Sequence, residues 1–162
     1  MAGIVVRKAG REDVAALNLA LARLSADIGD DHGASEADLL CHGFGPEKAF
    51  QALLAEDRET GEVLGVAVYS PVFSTVRAGA GFYVSDLWVS HSARGMGLGK
   101  RLLGQVIAQA PKDWAVRFLK LAVYDDNASA RAFYDRLGFE SDPQETYLSL
   151  AGEALDALKE TS

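Results

Sequence analysis

Apolar residues recur along this chain in two rhythms, and the rhythms predict its elements. Val14, Leu17, Leu21, Leu24 and Ile28 stand at helical spacing and form one apolar stripe. Ser35 followed three residues later by Asp38, in "SEADLL", is a capping-box variant that starts a short helix, which "HGFGP" breaks. Short apolar runs then predict strands: "IVVRK", "AFQALLAE", "VLGVAVYSPVF", "GFYVSDLWVS" and "RFLKLAVYDD". In the last of these Leu119, Leu121 and Val123 alternate with Phe118, Lys120 and Ala122. The polar "DRETGE", with Gly61, is a turn between two of them. Leu98, Leu102 and Val106, with Leu103 and Ile107, form a further helical face ended by Pro111. "NASARAFYDRLG" carries an N-cap candidate in Asn127 and a C-terminal glycine in Gly138. "TYLSL" predicts a last strand and "GEALDALKE" a terminal helix. Early helices, central strands and closing strand–helix pairs make a mixed α/β domain with a central sheet, expected to span residues 1–162 as one unit.

Composition narrows the partners. The net charge of -7 argues against nucleic acid or an anionic membrane as the main partner and suits a cationic small molecule. The opening "MAGIVVRKAGRED" has too short an apolar stretch for a signal peptide or a membrane span. One cysteine, Cys41, excludes an internal disulfide and a multi-cysteine metal site, so a cytoplasmic setting is expected. Cys41 is expected as a buried or half-buried thiol. His32, His42 and His91 have no metal-ligand spacing, and no metal is expected.

Chemistry concentrates in "SARGMGLGK", Ser92 to Lys100, between an apolar strand and a helix. A glycine turn there lets the backbone approach a ligand without Cβ interference. The first N–H groups of the helix point outward, and its dipole adds roughly half a positive charge. Arg94 and Lys100 add cations. The nucleotide P-loop does not fit, because Arg94 and Arg101 occupy its glycine and its Ser/Thr positions. The dinucleotide G-x-G-x-x-G fails in either register, at Lys100 or at Leu102.

What fits is R-x-x-G-x-G, as Arg94, Gly97 and Gly99, followed by a strand leading to Asn127 and a helix carrying Tyr134. This arrangement resembles the GNAT acyltransferase superfamily. "EADLLCHGFGPEKAFQALLAE", "GVAVYSPVFSTVRAGAGFYVSDLWV" and "ETYLSLAGEALDAL" resemble the corresponding segments of its spermidine/spermine and thialysine N-acetyltransferases. The resemblance implies a mostly antiparallel twisted sheet of about six to seven strands, splayed at a cofactor cleft, with helices on both faces. It implies acetyl-CoA as cofactor, its pyrophosphate on the backbone of Arg94, Gly95, Met96, Gly97, Leu98, Gly99 and Lys100. The backbone of Leu87, Trp88 and Val89 would pair with the pantetheine arm as an added strand does, from a bulged strand splayed off its neighbour. Asn127 would contact the same arm, besides capping its helix. Tyr134 would be the general acid that protonates the departing thiolate.

The acceptor is implied less sharply. An alkylamine with a pKa near ~10.4 is protonated at neutral pH and must lose a proton before attack. The subgroup has Glu-Asp before the loop, where this chain has Ser85 and Asp86. Alternation puts these two on opposite faces of a regular strand, so Asp86 serves through a bulge or water, or another acid takes over. His91, just before the loop, reads as a structural residue, with a weak base as the alternative. Asp27, Asp30, Asp31, Glu36 and Asp38 lie close together in sequence, and Asp27, Asp30, Asp31 and Asp86 are the candidates for holding a cationic amine. The expected activity is direct acetyl transfer to a primary amine of a small molecule, in a homodimer with the C-terminal segment at or near its interface. A protein or peptide N-acetyltransferase and a non-catalytic coenzyme A-binding regulatory domain are the alternatives.

Overall fold

The computed structural model describes residues 3–161. The chain packs as two compact units that part after Asn127. The larger unit holds a five-stranded sheet in the order β1-β2-β3-β4-β5. Its strands are β1 (Ile4–Lys8), β2 (Gln51–Asp57), β3 (Val63–Ser74), β4 (Gly79–Val89) and β5 (Val116–Lys120). The first four pair antiparallel, and β5 lies parallel to β4.

Helices cover both faces because strand alternation gives each face its own apolar set. Ala52, Leu54, Val66, Val68 and Trp88 pack with Val14, Leu17, Ala20 and Leu21 of α1 (Val14–Ile28) and Leu39 of α2 (Glu36–Phe44). On the other face α3 (Leu98–Ala108) buries Leu98, Leu102 and Val106. It lies so close to β3 that a Cβ on Gly65 would meet Leu102 Cδ1 at 3.0 Å. The capping box that starts α2 forms as predicted, Ser35 Oγ accepting from the Asp38 N–H at 3.1 Å while the Ser35 N–H donates to the Asp38 carboxylate at 2.8 Å. Gly29, at φ 74°, turns the chain out of α1.

One ion network ties β1 and β2 to the start of α1. Arg7 forks onto both Asp13 oxygens at 2.7 Å and onto Glu56 at 2.7 and 2.8 Å. Asp13 also accepts from the Gly10 N–H.

The smaller unit contains α4 (Ala128–Leu137) and α5 (Gly152–Lys159). Helix α4 begins one residue after Asn127 and stops at Gly138, φ 89°.

Two expectations need correction. The sheet has five strands among the described residues, fewer than the six to seven expected, because "TYLSL" forms none. Tyr147, Leu148 and Leu150 are all exposed there, and a period-two pattern without a buried face has nothing to hold it as a strand. Cys41 is exposed, since α2 turns Leu39 and Gly43 to the core and leaves Cys41 off that stripe.

Candidate active site

The site grows from the middle of β4. Val68 pairs with Asp86 and Tyr69 with Val84, so Ser85 has no opposite number on β3. That is a bulge, with one extra residue on β4. It removes the strict alternation between Ser85 and Asp86. The Ser85 hydroxyl donates to Asp86 Oδ2 at 2.7 Å and lies 3.4 Å from the Val68 carbonyl. Asp86 is half-buried, opposite Val68 on the sheet face that α1 and α2 cover. Burial raises its pKa above the usual carboxylate value, against the Ser85 hydrogen bond and the charge of His32, which both pull it down. His32 is itself held by Asn18, Nε2 to Oδ1 at 2.7 Å. Neither Asn18 nor His32 was marked as a site neighbour by the sequence. Only the position of His32 inside the acidic stretch hinted at it.

Past the bulge β4 has a free edge. β5 pairs with it only from Ala80 to Tyr83, so Leu87, Trp88 and Val89 have a neighbouring strand on the β3 side alone. The strand then runs through a 3-10 turn at His91–Ala93 into the glycine loop. Gly95 and Gly97 both hold φ at 77°, a left-handed conformation that side chains disfavour. A Cβ built on either meets nothing within 4 Å, so the backbone borders open space. The first intrahelical bond of α3 runs from Arg101 N to Gly97 O, leaving the N–H groups of Leu98, Gly99 and Lys100 without partners inside the helix. Lys100 is exposed on that turn. An open, N–H-rich turn with an exposed lysine fits a pyrophosphate.

The acidic stretch divides by partner. Asp27 accepts from Trp88 Nε1 at 3.0 Å and from Arg94 Nη2 at 2.7 Å. Asp30 accepts from the Tyr124 hydroxyl at 2.6 Å, which raises the pKa of that phenol. Tyr124 was not singled out in the sequence, since nothing local links it to a residue so far away in the chain. Asp31 and Glu36 are exposed, and Asp38 is spent on the α2 cap.

Asn127 sits in the turn after β5, its N–H donating to the Tyr124 carbonyl at 3.0 Å. Within the smaller unit Tyr134 lies edge-on to Phe133 and Phe139, with ring centroids 5.2 and 5.4 Å away. Burial pushes its phenol pKa upward, which keeps the proton on the oxygen through neutral pH.

Comparison with known sequences settles the family. The acetyltransferase (GNAT) family profile matches residues 20–139. The chain is a GNAT acetyltransferase. It is similar to the thialysine N-epsilon-acetyltransferases of Bos taurus, at 32% identity, and Sus scrofa, at 28%, each over 85% of both chains. Among solved structures, an integron cassette protein from V. cholerae superposes with TM-score 0.77 at 23% identity over 97% of this chain and 98% of that one. An aminoglycoside N-acetyltransferase in complex with CoA superposes with TM-score 0.70 at 15% identity, over 91% and 94%. At such identities the two structures speak for the GNAT fold alone. Members of the GNAT family use acetyl-CoA, and this chain is an acyltransferase of that family.

Proposed function

We propose that this acetyltransferase uses acetyl-CoA to acetylate a primary amine of a small molecule: a diamine, a polyamine or a lysine-like amino acid. The observation that carries the proposal is the middle of β4, where a half-buried carboxylate of raised pKa stands at a bulge beside a freed strand edge. Relatives named for thialysine and, in Arabidopsis thaliana, for L-ornithine, this last 32% identical over 59% of the chain, support a small amine. Both units serve one catalytic domain in this proposal, a grouping supported by the family match running from residue 20 to 139, across the division at Asn127.

Acetyl-CoA, when bound, supplies the activated acetyl group. The loop from Arg94 to Lys100 holds its phosphates on backbone N–H groups, and Lys100 adds charge. Leu87, Trp88 and Val89 would offer their backbone edge to the pantetheine, and Asn127 would contact the same arm. Asp86 takes the proton from the acceptor ammonium, helped by Ser85, whose hydroxyl orients the carboxylate. Asp30 and Asp31 draw the cationic acceptor. Tyr134, whose phenol keeps its proton through neutral pH, would be the acid that protonates the departing thiolate. The enzyme acts as a cytoplasmic homodimer in this proposal, supported by the likeness of its C-terminal segment to the subgroup and by its reduced-cysteine composition. No described helix is long and apolar enough to cross a membrane.

A thiol-release assay with acetyl-CoA and a panel of amines tests the proposal. Thialysine, lysine, ornithine, putrescine and spermidine stand against a lysine-bearing peptide. Turnover on small amines is the expected result. Turnover confined to the peptide would move the activity to protein acetylation, and cofactor binding without turnover on any amine would make the chain a coenzyme A sensor.

A further inference from the structure

Arg94 opens the R-x-x-G-x-G signature, yet its guanidinium is engaged by groups of the protein itself. Its Nε donates to the Val89 carbonyl at 3.1 Å, Nη2 to Asp27 at 2.7 Å, and Nη1 lies 3.1 Å from His91 Nδ1. All three nitrogens are occupied, and the side chain closes the turn from Val89 to Arg94 upon itself. Asp27 is a fixed post. Its Oδ2 also receives the indole N–H of Trp88, a residue only 4% exposed, so Asp27 cannot swing out without leaving a buried donor unpaired. Asp27 lies in the last turn of α1, where the helix dipole disfavours a carboxylate unless cations meet it. Arg94 is the cation that meets it, and the His91 ring, whose Nδ1 faces Arg94 Nη1, has its Nε2 3.6 Å from the other oxygen. The two left-handed glycines follow at once, so the clamp sits where a glycine backbone most needs outside restraint. Lys100, by contrast, has no ion pair among the described residues and is exposed on the first turn of α3.

We propose that Asp27 and Arg94 form a latch that fixes the glycine loop from the α1 side. Arg94 is then a positioning residue for the cofactor site, and Lys100 is the loop cation left for phosphate. Asp27, which the sequence groups with the acceptor carboxylates, serves the donor side instead. The latch rests on the proposed use of acetyl-CoA for its effect on binding, but not for its effect on the free loop.

Asp27→Asn, Arg94→Gln and the double variant test it with two readouts: calorimetric titration of coenzyme A, and hydrogen exchange of the amides from 95 to 100 in the free protein. Each single variant is expected to weaken coenzyme A about tenfold, as loss of an outer positioning group does. The double variant should bind no worse than the weaker single, because both break the same latch. KM for acetyl-CoA should rise while KM for the amine stays, and the loop amides should exchange faster in all three. Arg94→Lys, which keeps the charge but cannot span three acceptors, should behave like Arg94→Gln. Tighter coenzyme A binding by Asp27→Asn would overturn the latch, because it would mean Asp27 holds Arg94 back from phosphate. Additive losses, full rescue by Arg94→Lys, or unchanged exchange would overturn it as well. Should the native protein not bind coenzyme A, the cofactor reading falls and the exchange data alone decide the latch.

Discussion

Asp13, at the start of α1, and Asp86, on β4, are both carboxylates taken partly out of water, and their surroundings push them in opposite directions. Asp13 receives the Arg7 fork and the Gly10 N–H, and the Arg7 hydrogen bonds hold its pKa below the usual value despite burial. Asp86 has a serine hydroxyl and a distant histidine charge, and for it burial prevails. A buried charge with a fitted cation is scaffold; one without keeps its affinity for a proton. The fold therefore spends its arginine on the corner where β1, β2 and α1 meet, and leaves the β4 bulge underneutralised.

Replacing the underneutralised carboxylate has the largest expected effect. Asp86→Asn should lower kcat/KM for the amine by about 10²- to 10⁴-fold, the usual worth of a general base. In the native enzyme the rate should climb with pH through the raised Asp86 pKa, and the variant should lose that limb. Stability should move the other way. The folded state holds this proton more tightly than the unfolded chain, so Asp86 costs stability progressively as pH rises from the unfolded value, ~3.9, through the folded one. Asp86→Asn should thus raise Tm at neutral pH. A lower Tm would mean the carboxylate is better satisfied than its surroundings imply.

Tyr134 extends the contrast to an acid, since burial raises its pKa too, but here the raised value preserves the donor form. Tyr134→Phe removes one oxygen and keeps the ring that packs on Phe133 and Phe139. We expect kcat to fall by about 10²-fold, the lower end for a general acid, with coenzyme A affinity unchanged in the same titration. Native kcat in that variant would remove Tyr134 from the chemistry.

Much of this was legible in the sequence because it is local. The Ser35–Asp38 cap, the α1 stripe from Val14 to Ile28 and the turn glycines each depend on residues a few positions apart. The bulge at Ser85 is not local, because it exists only in register with Val68 and Tyr69. Alternation within β4 alone put Ser85 and Asp86 on opposite faces. Asp27 looked like one acid among five until Trp88 and Arg94 reached it, 61 and 67 residues away in sequence. "TYLSL" misled in the other direction, offering strand composition without a buried face. Local chemistry survives translation from sequence, and pairing between distant segments does not.

The other half of the comparison gives the smallest effect and the sharpest control. Arg7→Met keeps much of the aliphatic stem and removes the fork, leaving Asp13 and Glu56 facing one another without a cation. Charged hydrogen bonds of this kind are worth about 2 kcal/mol, and the 37% exposure of the Arg7 side chain keeps the loss from reaching that of a fully buried pair. A fall in stability of that order should appear in urea at neutral pH, with kcat unchanged, since Arg7 lies outside the site. The pH dependence gives the sign. Asp13 has a depressed folded pKa, so its contribution is present above the unfolded carboxylate value and disappears as pH falls through the folded one. The gap between native and Arg7→Met should therefore be full at neutral pH and close in acid. A gap that stays constant into acid would assign the loss to packing of the arginine stem rather than to Asp13, and the two carboxylates would no longer be opposites by charge alone.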